Sequence, residues 1–240
     1  RKGVLLAAEQ SEAIVLRVIP WSETSLIANI YTREFGKLSV LAKGARRPKS
    51  PFEAALDLLS ICRVVFIAKH SDALDLLTEA KLTKRFRGGT RDLLRLYAGY
   101  YVAELLERLT DKQDRQPGIY DLAVATLDAI SDSAQPLAGV VLRLELQMLR
   151  LVGHLPTWRL CAHCGQGVEP SAWWVFGTLA SGMLCSNCQV GQRQLIRLAS
   201  GAVDELEQFS SEQWREIDIS GLSSNHRSVI RGLVTRYLTV

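Results

Sequence analysis

Two cysteine pairs constrain this chain more than any other feature. Cys161-Ala162-His163-Cys164 is followed, after twenty residues, by Cys185-Ser186-Asn187-Cys188. A Cys-x-x-Cys pair sets two sulfurs on one ion from a tight backbone knuckle, and two pairs at this separation have the ligand spacing of a four-thiolate zinc site. Gly165 suits the turn after the first pair, and Trp173, Trp174, Val175 and Phe176 form a strand-like run followed by Gly177 and Gly182. The expected unit is a ribbon over 158–191: knuckle, strand, turn, strand, knuckle. So short a segment cannot bury a core of its own, so a metal must hold it. Four thiolates leave Zn2+ no open position, which makes the expected ion structural, one per chain.

Other uses of the four cysteines fit less well. Disulfides need an oxidising compartment, and a thioredoxin-like site uses one Cys-x-x-Cys pair. Residues 1–20 lack a continuous apolar region with a small-residue cleavage site, and no run of about eighteen apolar residues is present. The expected location is the cytoplasm, with no membrane partner. His163, inside the first knuckle, reads as exposed, and His154 as a core or loop residue.

At 48% hydrophobic and 22% charged, 240 residues can bury a substantial core in one to three domains. The net charge of +4 conceals an asymmetry. Residues 1–91 carry 16 Lys/Arg against 9 Asp/Glu, and residues 92–240 carry 13 against 16. A front half at +7 points to a polyanionic partner, although basic faces are also often merely solvated. That front half reads as β-structure. Runs over 13–19, 25–32, 36–43, 59–69 and 74–83 are β-rich, and 36–43 alternates with Leu38, Val40 and Ala42 on one face. Between the third and fourth runs, Gly44 to Pro51 holds two prolines and three cations and cannot continue a ladder. Cys62 reads as a small buried hydrophobe. Five short strands in about 70 residues suit a small closed barrel, of which the OB-fold is the common nucleic-acid binder.

Helical spacing begins after Thr90, the expected N-cap of a helix over 92–110. Further helices are expected over 119–130, 136–151, 200–209 and 225–238. Tyr97, Tyr100 and Tyr101 read as core on their helical spacing. The fold class is therefore α+β and multidomain: an OB-fold barrel over 1–88, then a helical domain over 89–157 and 192–240 with the ribbon inserted between its helices.

In this order the chain resembles the RecO family of bacterial DNA repair and recombination mediators, including its zinc-bearing members. The matching residues are Glu12 to Leu16, Ser22 to Ser25, Lys43 to Ser50, Phe52, Leu56 to Leu59 and the four cysteines. The resemblance implies binding of single- and double-stranded DNA, annealing of complementary strands, and action at the bacterial nucleoid with a RecR partner to load RecA onto DNA coated by single-strand-binding protein. It also implies contact with the acidic C-terminal tail of that coating protein, for which Arg108, Arg115, Arg143 and Arg150 are candidates. The DNA-binding candidates follow from the residues themselves. Lys37, Lys43, Arg46, Arg47, Lys49, Lys84, Arg85 and Arg87 fall at strand ends or loops of the barrel, where a backbone-tracking groove would run. Tyr31, Phe35 and Phe86 are either stacking faces or core.

Two rival classes remain at this level. A nuclease needs clustered carboxylates to hold metal, and Asp57, Asp72, Asp75 and Glu79 lie on or near strands without a recognisable motif. A zinc ribbon also serves RNA-binding and transcription proteins. No Gly-x-x-x-x-Gly-Lys-Ser/Thr loop is present for ATP hydrolysis, no Ser/His/Asp or Cys/His signature stands out, and no catalytic residue is expected.

Overall fold

The computed structural model describes residues 8–52, 55–69, 73–90, 92–219 and 223–238. It divides into two compact units, residues 1–134 and 135–240.

The first unit is built on five strands: β1 (Ala8–Pro20), β2 (Leu26–Thr32), β3 (Gly36–Ala42), β4 (Ile61–Ile67) and β5 (Asp75–Lys84). They close in the order β1-β2-β3-β5-β4, the OB-fold arrangement, with β3 and β5 the parallel pair. The alternation expected of β3 is observed: Leu38, Val40 and Ala42 are buried and Lys37, Ser39 and Leu41 are half-buried. The interior is filled by Ala13, Val15, Ala28, Ile30, Val64, Phe66 and Leu77, with Phe52 and Ala55 from the long β3–β4 connection packed into the same core. A barrel this small has room for side chains only, so alanines and large residues share its interior. Cys62 is among them, and burial pushes its thiol up to about 12.

Two helices complete this unit, α1 (Leu93–Leu109) and α2 (Pro117–Ser131). The cap of α1 is Asp92, whose carboxylate accepts from Leu94 N at 2.9 Å; Thr90, expected there, turns its hydroxyl to Arg87 O instead. Pro117 opens α2, where its missing N–H costs nothing. Both helices therefore cluster with the barrel, although the sequence placed the boundary before them.

The second unit holds α3 (Leu137–Leu151), strands β6 (Trp173–Gly177), β7 (Gly182–Leu184) and β8 (Leu195–Ala199), then α4 (Ser200–Phe209) and α5 (Ser224–Leu238). The ribbon hairpin β6–β7 is as expected, but the sheet has three strands, ordered β7-β6-β8. β8 lies in the stretch assigned to the helical domain; five residues of mixed burial carry too little periodicity to mark a strand alone. Arg159 ties the ribbon to α4, donating to Glu207 and Asp204 while its guanidinium lies 5.0 Å from the Trp174 ring centre. Buried Gln147 of α3 donates to Phe209 O and Ser211 O, satisfying carbonyls at the end of α4. Among the described residues, no helix is long and apolar enough to cross a membrane.

Candidate metal centre and nucleic-acid surface

The four cysteine sulfurs all lie within 4.8 Å of one another, close enough to ligate one ion. Local hydrogen bonding makes the two knuckles. Gly165 N donates to Cys161 O at 2.8 Å with Gly165 at φ +73°, and Cys188 N donates to Cys185 O at 3.1 Å. Ala162 N donates to Met183 O at 2.8 Å, which joins the first knuckle to β7. His163 is exposed beside the cluster, and His154 is exposed on a loop. The donor set fits a cation. Burial raises the Cys161 thiol's pKa, but hydrogen bonds from the backbone N–H groups of Cys185, Cys164 and His163 outweigh burial and draw it down to about 6. Interaction with the Cys185 side chain, followed by burial, pushes Cys188 up to about 12. Four thiolates at this spacing repel, and a positive ion removes the conflict. Among the described residues this is the one cluster of three or more possible metal ligands.

The basic candidates separate into two sets. Lys43, Arg46, Arg47 and Lys49 are all exposed on the loop that leaves β3, and none has a carboxylate partner among the described residues. Arg46 fixes this loop to the β1–β2 connection: its backbone N donates to Thr24 O at 3.0 Å, and its guanidinium to Ser22 O at 3.2 Å. Arg47 N closes a turn on Gly44 O. Arg87 is also exposed and without a carboxylate partner among the described residues.

The other three are occupied. Lys37, with its side chain 12% exposed, donates to Glu107 O at 2.5 Å and Thr110 O at 2.6 Å, closing the C-terminal end of α1. That use leaves its ammonium bound to protein carbonyls and largely withdrawn from solvent. Lys84 pairs with Asp128 at 2.6 Å and Arg85 with Asp57 at 3.4 Å, both half-exposed.

The aromatic residues are redistributed. Tyr31 is fully buried, Phe35 packs edge-on against Phe66 at 5.3 Å, and Phe86 is packed against Gly99. Tyr31 belongs to the core, while Phe35 and Phe86 are half-buried and taken up in packing. Tyr97 and Tyr100, expected as core, are 57% and 42% exposed. Trp21, which the sequence did not single out, is 63% exposed on the β1–β2 connection beside the basic loop. Its signal was present in Pro20-Trp21-Ser22, a large aromatic in a turn next to a proline.

Among the described residues, the nuclease carboxylates do not converge. Asp57 is paired with Arg85, Asp75 is buried and accepts from Lys69 N at 2.9 Å, and Glu79 is exposed; Asp72 lies outside the described residues.

Models of two protein families match, Recombination protein O N terminal over residues 7–86 and Recombination protein O C terminal over 90–240. The chain belongs to the RecO family. It is 44% identical over 201 residues to the DNA repair protein RecO of Rhodopirellula baltica, covering 83% of this chain and 74% of that relative. The DNA repair protein RecO of Symbiobacterium thermophilum is 27% identical over 234 residues, 97% of this chain and 92% of that one. That of Listeria monocytogenes serotype 4b is 30% identical over 201 residues, 84% and 76% respectively. Membership places the chain in DNA repair and recombination. Within a RecO chain, the barrel with its basic loop and the four-cysteine ribbon fall in the two separately matched regions.

Proposed function

We propose that this chain is a recombination mediator that works by binding, without catalysing bond chemistry. It holds single- and double-stranded DNA on the barrel, anneals complementary strands, and with RecR helps RecA onto DNA coated by single-strand-binding protein. The observation that carries this reading is the loop of four exposed, uncompensated cations, Lys43, Arg46, Arg47 and Lys49, on an OB-type barrel. Annealing needs two polyanions relieved of their mutual repulsion and brought together, and cations that displace counterions achieve that with no nucleotide. Arg87 is offered as a further phosphate contact, while Lys84 and Arg85 reach phosphate only by leaving their carboxylates. One Zn2+ on Cys161, Cys164, Cys185 and Cys188 supports the ribbon.

For the acidic tail of the coating protein, Arg143 is the best suited of the four candidates. Arg108 is paired with Glu104 at 3.0 Å, and Arg150 is held by Gln147 and Glu212. Arg115 is exposed, a free but solvated charge. Arg143 is 8% exposed, its pKa is lowered by burial, and its Nε has no partner among the described residues. It shares the Trp214 ring with Arg215, at 5.4 and 4.4 Å, so two cations lie close to one indole, where an entering carboxylate would relieve their repulsion.

The deciding experiment combines annealing with a salt titration. Annealing by the full chain is expected without ATP or added divalent metal. Changing Lys43, Arg46, Arg47 and Lys49 together to Ala should flatten log K against log salt by about 3 units on single strands, at about 0.7 per phosphate contact. A variant with unchanged circular dichroism and the wild-type slope places the DNA elsewhere.

A further inference from the structure

Resting on the proposed DNA-binding role of the barrel loop, we infer that Trp21 is a stacking platform for an unpaired base, and that it makes this surface favour single strands over duplex. Phosphate contacts alone do not favour the single strand, since duplex carries the higher charge density. An aromatic face open to solvent beside a cationic track supplies that preference, because only an unpaired base can turn its face onto an indole. No other aromatic offered for this role is free in the barrel: Tyr31, Phe35 and Phe86 are all taken into packing.

The placement of Trp21 is held by a small set of bonds. Trp21 N donates to Ser25 O at 3.0 Å, Ser22 N donates to the same oxygen at 3.3 Å, and Ser25 N donates to Ser22 Oγ at 3.1 Å. The segment bearing Trp21 is thus a closed turn. Arg46 reaches into that turn twice, through its backbone to Thr24 O and through its guanidinium to Ser22 O. Trp21 and Arg46 therefore share one hydrogen-bonded framework, which lowers the ordering cost when a strand binds. The exposure of Trp21 also differs from that of the three other tryptophans packed into the protein: Trp158, Trp174 and Trp214 are buried. A large apolar side chain left in water on a turn is a standing cost unless a ligand covers it.

The stacking contribution and the phosphate contribution separate by salt. Stacking releases no counterions, so Trp21→Ala should weaken binding of an oligo-dT single strand roughly tenfold at every salt concentration, leaving the log–log slope unchanged. Binding of a duplex of the same length should change less than about threefold. Trp21→Phe keeps a π face and should recover most of the loss. Tryptophan emission provides an independent reading: quenching on adding the oligonucleotide should persist in Trp173→Phe, which removes the other exposed indole, and should largely disappear in Trp21→Phe. The inference is overturned if Trp21→Ala binds the single strand as wild type does, or if it loses single strand and duplex equally. It is also overturned if quenching survives in Trp21→Phe. Failure of the phosphate reading looks different: the four-cation variant then keeps its slope while the Trp21 variants still separate single strand from duplex.

Discussion

Replacing Lys37 by Met tests whether this lysine belongs to the protein or to the DNA. Its ammonium donates to the carbonyls of Glu107 and Thr110, at the end of α1 where the last carbonyls lack helical partners and the helix dipole is negative. Methionine keeps the length of the unbranched stem and removes only the charge and its donors. Two hydrogen bonds from a charged donor contribute about 1.5–3 kcal/mol each. Relief from holding a largely buried ammonium offsets part of that, which leaves a loss of about 3 kcal/mol. For a unit of this size, about 3–5 °C of Tm accompanies each kcal/mol, so the barrel unit should melt about 10 °C lower. Calorimetry reads the melt, and DNA titrations at several salt concentrations read the slope, which should not move. If Tm holds and the slope falls by about 0.7, Lys37 is a phosphate contact and its bonds to α1 are incidental.

Four further outcomes are expected. Zinc analysis of reduced protein should give one ion per chain, and Cys185→Ser should lower zinc content and the stability of residues 135–240, measured by proteolysis; full zinc occupancy in that variant counts against a four-cysteine site. Stripping the metal at pH 8 should unfold the ribbon and expose four thiols quickly to a thiol reagent, while Cys62, fully buried in the barrel, should react only as the barrel unfolds; a fifth fast thiol refutes this. Gly36 sits at φ +67° with a Cβ position 2.0 Å from Asp114 O, so Gly36→Ala should cost more than about 3 kcal/mol in chemical denaturation, and a near-neutral result would show that the backbone yields there. Arg143→Met should weaken an acidic tail peptide about tenfold in calorimetric titration without weakening DNA binding, and an unchanged affinity directs the tail to Arg115 or elsewhere.

Much of this protein could be read without coordinates because the relevant physics is local. Cys-x-x-Cys spacing sets which sulfurs share a knuckle, whatever surrounds them. Alternation sets which face of β3 turns inward, and Pro48 and Pro51 keep their loop out of the ladder. The order of barrel strands, helices and ribbon followed from such signals. The tertiary structure decided the rest, since a side chain's role depends on what the fold brings beside it. Lys37 and Lys43 lie six residues apart in one basic strand and its exit, yet α1 takes the first and leaves the second in water. Tyr97 and Tyr100 have core spacing on α1, but the face they occupy is not covered in this unit. Arg143 sits among leucines on α3 and is buried beside Trp214, 71 residues later in the chain. β8 is a strand because β6 offers it an edge. Composition cannot anticipate such pairings, because each joins residues that only the closed chain makes neighbours.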